Sequence, residues 1–503
     1  MKQYDVIIIG TGAANIIADA AIRQHKQVAI IERGRFGGTC LNRGCIPTKV
    51  MVTAANLLCE IREGARIGVT AENATLDWDT LARRLWQKID ESPAIQAYYD
   101  QFPNVDTYNG TASFTGKKTI AVTKADGTAE ELEGRQIFIG TGGRTNIPVL
   151  PGLEECSYIT SETFFGPKFP GKPYKSLIVI GGGPIGCEFS HVFEAAGTQV
   201  TIIQHNVRLL PKEEPEISAF MLRQFQNRRI DVRLNQDTIS VRREGDEKVL
   251  TIRNRTDGTT AEVRAEEILV APGIRPMTEL LQLEHTDVRL DSRGYIETNE
   301  FLETSADGIW ALGDVNGRAP FRHKANYEAE IIAHNLFSHM PRENWRWAQY
   351  DAVPAVTYTY PETAHTGLTE EGARKQGYDV ETAVNHYSAS AKGYALGYEL
   401  GASDDGFIKL IIDKTSKQIL GAHIVGHEAS ILIQPFVNLL MCGTHTVQPL
   451  RPDIASADAQ YLRDLPLTRT LDPRSVYTLS ETMTPHPSLS EVTMWTRYYY
   501  EKK

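Results

Sequence analysis

Apolar and polar positions along the chain sort into short blocks that repeat. Tyr4 to Ile9 is a nearly unbroken apolar run, a buried-strand pattern. Gly10-Thr11-Gly12 follows, then a helix-compatible stretch from Ala13 to Gln24 and a second apolar run from Val28 to Ile31. The same order returns about 170 residues later. There a strand pattern at Ser176 to Ile180 leads into Gly181-Gly182-Gly183-Pro184-Ile185-Gly186, a helix-compatible run to Ala196 and a strand at Gln199 to Ile203. Each block predicts a strand-turn-helix-strand unit.

Glycines in such a turn let the backbone approach a pyrophosphate at a helix N-terminus, where unpaired N–H groups favour negative charge. Gly10 and Gly12 serve the first unit, and Gly181, Gly183 and Gly186 the second. Glu32, ending the second strand, is placed to accept hydrogen bonds from ribose hydroxyls. Asn15 stands where the first fingerprint usually has its third glycine. One such turn occurs in unrelated α/β proteins, but two imply two dinucleotide cofactors held by successive domains. At the end of the second unit Gln204 replaces the usual acid, and His205 and Arg208 follow. With no carboxylate at that strand end to repel a 2′-phosphate, NADPH is favoured over NADH; the plainer reading makes both side chains solvated loop residues.

The chain has 503 residues, and ~100 to 200 residues per domain predicts three or four domains. Its 41% hydrophobic and 23% charged residues suit an ordinary globular protein. The formal net charge of -10 gives no electrostatic reason to expect nucleic acid. The apolar stretch from Ala429 to Cys442 is broken by Gln434 and Asn438 and falls short of the roughly 20 residues a membrane span needs. The first strand begins at once, without a signal-peptide pattern, so a cytoplasmic protein with no membrane partner and no added N-terminal module is expected. Six cysteines make no secreted disulfide framework, and in a reducing compartment a close pair points to catalysis.

That pair is Cys40 and Cys45, in Gly37-Gly38-Thr39-Cys40-Leu41-Asn42-Arg43-Gly44-Cys45-Ile46-Pro47-Thr48-Lys49. Pro47 suits a first helical turn, which puts Cys45 at a helix N-terminus where the dipole and Lys49 favour a thiolate. A zinc site would need a second cysteine or histidine pair at ligand spacing, and none is seen, so no metal is expected. Cys59, Cys156, Cys187 and Cys442 read as ordinary buried residues.

The segment resembles the C-x4-C signature of class I pyridine nucleotide-disulfide oxidoreductases, the family of dihydrolipoamide dehydrogenase, glutathione reductase and mycothione reductase, and the likeness spans nearly the whole chain. The resemblance implies an α/β protein with two Rossmann-like domains, for FAD and NAD(P), and a C-terminal α+β dimerisation domain. The expected boundaries are 1–150 with 276–345 for FAD, 151–275 for NAD(P) and 346–503 for the dimer domain. It implies that Cys45 faces the flavin while Cys40 exchanges with a small disulfide or dithiol. It further implies FAD contacts at Thr39, Ala112, Thr141, Gly142, Asp314 and Ala325, a crossing back at Gly273, and a Lys49–Glu188 pair beside the flavin. His486 and Glu491 match the H-P-x-x-x-E signature, so His486 would act as acid and base, oriented by Glu491, on the cysteines of the other subunit of a homodimer. Val353 to Glu370 resembles the start of the dimer domain.

Departures remain. Ile274 replaces a more usual arginine, and Pro184 stands where some relatives have a gating tyrosine. Arg451 to Glu481 reads as an added segment before His486. Tyr498 to Lys503 contains no cysteine, which disfavours substrates of large thioredoxin reductases and mercuric reductase. Asn15 and the block from His323 to Ala329 lean toward the mycothione reductase branch, while the cysteine segment suits dihydrolipoamide dehydrogenase equally. Two other classes compete with a disulfide reductase: an FAD-dependent NAD(P)H oxidase or transhydrogenase, which needs no paired cysteines, and a non-catalytic flavoprotein subunit of a larger complex.

Overall fold

A computed structural model describes residues 1–447 and 468–501. The chain forms two compact units. The first comprises Met1–Gly64, Thr70–Pro211 and Phe225–Tyr350; the second comprises Ala65–Val69, Lys212–Gln224 and Asp351–Lys503.

In the first unit the strand Lys2–Ile9 lies between Val28–Glu32 and Ala129–Ile139, parallel to both. Val6, Ile7 and Ile8 are fully buried, as expected for a parallel strand covered on both faces. Val105–Asn109 extends one edge, and Thr111–Phe114 and Thr119–Thr123 extend the other as antiparallel strands. The short strand Ile309–Ala311, far along the chain, also pairs with Ala129–Ile139. It delivers Asp314 beside the first glycine turn's sheet.

A second parallel sheet in this unit has Ser176–Ile180 at its centre, flanked by Gln199–Ile203 and Glu267–Val270. A three-stranded antiparallel sheet follows from Gln236–Glu244, Glu247–Asn254 and Thr260–Ala265. The two crossings named by the sequence, Gly143–Thr145 and Ile274–Pro276, lie side by side as an antiparallel pair. Both fingerprint strands and both following helices form as their patterns predict, with the helices at Asn15–Arg23 and Pro184–Ala195. The latter is seated against Trp78 and Phe164 through its own Phe189 and Phe193, and Phe169 packs behind those two rings.

The second unit is built on a five-stranded antiparallel sheet. Its order is Ala355–Thr357, Glu362–Gly367, Ile419–Gly426, Phe407–Asp413 and Val380–His386. Its inclusion of residues 65–69 and 212–224 departs from a simple linear division. The cause is visible in the pairing: Glu214, buried, receives the Lys409 ammonium at 2.7 Å and the Glu370 N–H at 2.8 Å. A buried carboxylate of this kind needs such partners. Of the added segment expected at 451–481, the part to residue 467 lies outside the described residues. Beyond it Arg469–Leu471 pairs antiparallel with His445–Val447, and Val476 and Leu479 are buried in the core of this unit. No described helix is long and apolar enough to cross a membrane.

Candidate active site

The first glycine turn is held from two sides. Gly10 sits at φ +96°, and a Cβ there would stand 2.5 Å from the Gly140 carbonyl oxygen. Only glycine tolerates both the conformation and the approach. Glu32 Oε2 accepts the N–H and hydroxyl of Thr11 at 3.0 and 2.7 Å, while Oε1 accepts the Gly34 N–H at 2.7 Å. Three of the roughly four lone-pair positions of a carboxylate are thereby used, leaving room for one ribose hydroxyl.

Flavin adenine dinucleotide fits this turn on local grounds. Gly12 leaves open space, its nearest neighbour being Arg322 Nη1 at 3.8 Å from an imagined Cβ. Asn15 carries a buried Oδ1 that has no partner. Asp314 is half-buried, and desolvation raises its carboxyl above the usual range. Behind it Glu328 accepts from the Gly313 N–H, Asn316 Nδ2 and the Tyr350 hydroxyl at 2.7–2.8 Å, and pairs with fully buried Lys324 at 3.2 Å. Ala325 is buried in the first turn of Arg322–Phe337, a helix whose leading N–H groups have no partners within it. Ala112 is buried in its strand, while Thr141 donates its hydroxyl to the Met277 carbonyl and Gly142 takes φ +72°.

The cysteine segment rests directly on this turn. Gly38, at φ +67°, places an imagined Cβ 2.8 Å from Gly12 Cα, and the Gly37 N–H donates to Thr11 Oγ1 at 3.0 Å. Asn42 closes the loop by donating to the Arg35, Phe36 and Gly38 carbonyls at 3.0–3.3 Å. Thr39 is exposed. The helix Cys45–Glu63 starts with Pro47 in its first turn, as predicted.

The two sulfurs are reduced, and they share a hydrogen bond. That bond, donated by Cys45, is the largest influence pushing the Cys40 thiol down to about 7. Burial opposes it, and Arg322 and the N–H groups of Ile46 and Cys45 add to it. Cys45 moves far up, first because it donates the bond, then through burial and the neighbouring Cys40 charge. Lys49 and its own N–H pull the other way with smaller effect. The expected pull of the helix N-terminus and Lys49 on Cys45 is present, and the N–H groups of Cys45 and Ile46 at the helix end reach Cys40 as well.

The second turn repeats the first with different chemistry. Gly181 is at φ +115°, and an imagined Cβ on Gly186 would lie 1.9 Å from the Gly181 carbonyl oxygen. Gly183 and Gly273 have nothing within 4 Å of theirs, which leaves room for a ligand backbone. Gln204, buried, accepts the Gly182 N–H at 3.0 Å and donates to the Arg208 carbonyl at 3.1 Å, so its amide does for this turn what Glu32 does for the first.

The helix that follows meets the cysteine helix along a polar ladder. Glu188 pairs with Lys49 at 2.8 Å, His191 Nε2 meets Asn56 Oδ1 at 2.6 Å, and Glu194 pairs with Arg62 at 3.2 Å. Burial holds the His191 imidazole well below its ordinary pKa, with Arg228 adding to the effect. The Lys49–Glu188 pair expected beside the flavin is therefore formed by the protein alone.

In the second unit His486 Nδ1 lies 2.5 Å from Glu491 Oε1. The imidazole is 66% exposed and the carboxylate fully buried. Glu491 also accepts the Ser488 N–H at 3.3 Å. With Nδ1–H donated to the carboxylate, Nε2 is left as the exposed lone pair that a base needs.

Two expectations are corrected. Cys442 is exposed rather than buried, since it follows the last turn of the helix Gln434–Met441. A carboxylate does stand at the second strand end: Asp237 lies 3.1 Å from His205 Nδ1, because Gln236–Glu244 begins alongside residues 204–206. Arg253 and Arg255 reach the same carboxylate at 3.3 and 3.5 Å. Sequence reasoning missed Thr11, Arg322 and these two arginines. Thr11 occupies a fingerprint position open to any residue, and the arginines lie some 50 positions from His205.

Residues 4–329 match the pyridine nucleotide-disulphide oxidoreductase family, and residues 353–456 match its dimerisation domain. The chain is similar to mycothione reductase of Mycobacterium tuberculosis, 33% identical over 465 residues that cover 90% of this chain and 95% of the relative. It is also similar to dihydrolipoyl dehydrogenase of Zymomonas mobilis, 30% identical over 492 residues, 97% of this chain and 96% of the relative. The solved structure of the Cu(II) complex of the HOCl-induced flavoprotein disulfide reductase RclA from Escherichia coli superposes with TM-score 0.77 at 23% identity, covering all of both chains. That likeness concerns the fold.

Proposed function

Since the chain belongs to the pyridine nucleotide-disulphide oxidoreductase family, we propose that it is an FAD-dependent NADPH:disulfide reductase acting on a low-molecular-weight disulfide. The observation that carries this reading is a pair of free cysteines, Cys40 and Cys45, at the start of the helix Cys45–Glu63 on a loop packed against the first glycine turn, with the hydrogen bond from Cys45 drawing the Cys40 thiol down. A thiolate present at neutral pH, half-exposed beside a dinucleotide turn, is a nucleophile for disulfide exchange.

Cys40 attacks one substrate sulfur, forming a mixed disulfide and releasing the other as a thiolate. His486, steered by Glu491, takes the Cys40 thiol proton on Nε2 as that attack begins and passes it to the departing thiolate, in the family's arrangement where the histidine serves the cysteines of a second copy. Cys45 then no longer has a charged Cys40 beside it, so Lys49 and the helix N-terminus can hold it as the thiolate. It gives up its proton, attacks Cys40 and closes the Cys40–Cys45 disulfide, and the second product leaves as a thiolate that takes this proton by way of His486 and departs as a thiol. When bound, FAD supplies the two electrons that reopen this disulfide, received as a hydride from NADPH.

His205, Arg253 and Arg255 gather around one carboxylate, Asp237, and the two guanidiniums outweigh its charge there, which favours the 2′-phosphate of NADPH. The relatives' names suggest mycothiol disulfide and lipoamide as first trial substrates. Anaerobic titration of the yellow protein with NADPH and, separately, NADH tests the reading. A long-wavelength thiolate-to-flavin band, discharged by one of mycothiol disulfide, lipoamide or glutathione disulfide, is expected. Flavin bleaching without the band removes the cysteine pair from the pathway and favours an oxidase.

A further inference from the structure

The dimer-domain sheet carries a cluster of ligand-type side chains that the redox chemistry does not use. His365 and His423 face each other as a cross-strand pair between Glu362–Gly367 and Ile419–Gly426. Their rings stack at 5.5 Å with 23° between planes. Glu213, on the 212–224 segment, brings its carboxylate to His365 Nδ1 at 2.9 and 3.0 Å. One donor atom from each of the three residues lies within 4.8 Å of the others, and no ion is present.

A proton shared between Glu213 and His365 explains only half of this arrangement. It accounts for His365, whose Nδ1 the Glu213 carboxylate takes at 2.9 and 3.0 Å. It does not account for His423. That imidazole is fully buried, and its Nε2 meets the Leu368 carbonyl at 2.9 Å, so Nε2 carries the hydrogen. Nδ1 is then a bare lone pair, buried, with no hydrogen-bond partner. Leaving such an acceptor unsatisfied costs about 1–3 kcal/mol.

A neutral imidazole that donates one N–H to a backbone carbonyl and presents the other nitrogen unpaired is the arrangement that outer-shell contacts impose on metal-ligating histidines. Two histidines and one carboxylate are a known zinc ligand set that keeps one position open. The open side has an obvious place, because His365 is 19% exposed while Glu213 and His423 are buried. Lys409, the register neighbour of His423 on the next strand, is taken up by Glu214, Glu216 and Glu370 at 2.7–3.0 Å.

We infer that Glu213, His365 and His423 form a binding site for a divalent transition metal of the zinc type, which ties the 212–224 segment to the sheet. Ligand distances of about 2.0–2.2 Å require the three donors to draw together by roughly 1 Å, within reach of side-chain rotation. The histidines stand 58 positions apart, so no sequence spacing announces the site.

The test uses tag-free, flavin-loaded enzyme carrying Cys40→Ser and Cys45→Ser, so that the redox sulfurs do not compete for metal. Equilibrium dialysis against zinc, read by elemental analysis, is expected to give one zinc per chain. His365→Ala and Glu213→Gln in the same background should each weaken uptake at least about tenfold, with flavin content unchanged as the check on folding. No zinc in the parent, or uptake within twofold of the parent in either variant, overturns the site.

Discussion

Removing the Cys45 sulfur tests the redox pair most directly. In the dithiol the Cys45 thiol is the foremost cause of the Cys40 pKa of about 7, against an ordinary 9.0, and burial is the leading opposing effect. Cys45→Ala deletes the bond and keeps the burial, so Cys40 should return toward 9. At pH 7 its thiolate fraction then drops from about one half to about 1%, roughly 50-fold. A more basic thiolate is also the stronger nucleophile; with a Brønsted slope of about 0.4–0.5, two pH units recover roughly six- to tenfold. The net expectation is alkylation of Cys40 by iodoacetamide about five- to eightfold slower at pH 7, and six- to tenfold faster on the plateau above pH 10. Cys45→Ser, which keeps a donor, should fall between. Rates followed by mass spectrometry of the Cys40 peptide from pH 5 to 11 decide the matter. A Cys45→Ala profile still centred near 7 refutes the reasoning and hands the activation to Arg322 and the helix N-terminus.

His486→Gln should cost about 10²-fold or more in disulfide turnover while leaving flavin reduction by NADPH intact in stopped flow, because general acid–base help is lost only in the sulfur half-reaction; Glu491→Gln should cost less. Gly10→Ala forces a left-handed alanine, about 1–2 kcal/mol by itself, against the Gly140 carbonyl, so the purified protein should carry under about a tenth of the parent's FAD by its 450 nm absorbance. The folded pKa of His191 is depressed, so below about 6.5 the unfolded chain binds a proton that the folded chain refuses. Its stabilising balance is thus present above that pH and lost as pH falls, by up to about 1.4 kcal/mol per unit. Urea midpoints at pH 7 and pH 5 should therefore diverge less for His191→Gln than for the parent, and equal divergence assigns the acid sensitivity elsewhere.

Much of the architecture is legible locally because its signals are local. The strands at Ser176–Ile180 and Gln199–Ile203 and the helix from Cys45 follow from apolar runs, a glycine turn and Pro47. The site is legible where one short segment holds both partners, as with Cys40 and Cys45 or His486 and Glu491. It is not legible where tertiary pairing supplies the second member. Asp237 beside His205 arises from strand pairing, the excursion of residues 212–224 into the second unit from a buried charge cluster, and the role of Gln204 as the counterpart of Glu32 from an amide folded back on its own turn.

The polar ladder between the two helices bears on how the protein is made. Its rungs join residues 139, 135 and 132 positions apart. A ribosome adding about 5–20 residues per second needs roughly 7–28 s to deliver the second partner of each rung. Through that interval the cysteine helix displays Lys49, Asn56 and Arg62, which water solvates well. An apolar seam at the same place would leave a sticky stripe on a half-made chain. Ionic and amide rungs let the cysteine helix wait in solution and dock late, when the helix Pro184–Ala195 arrives.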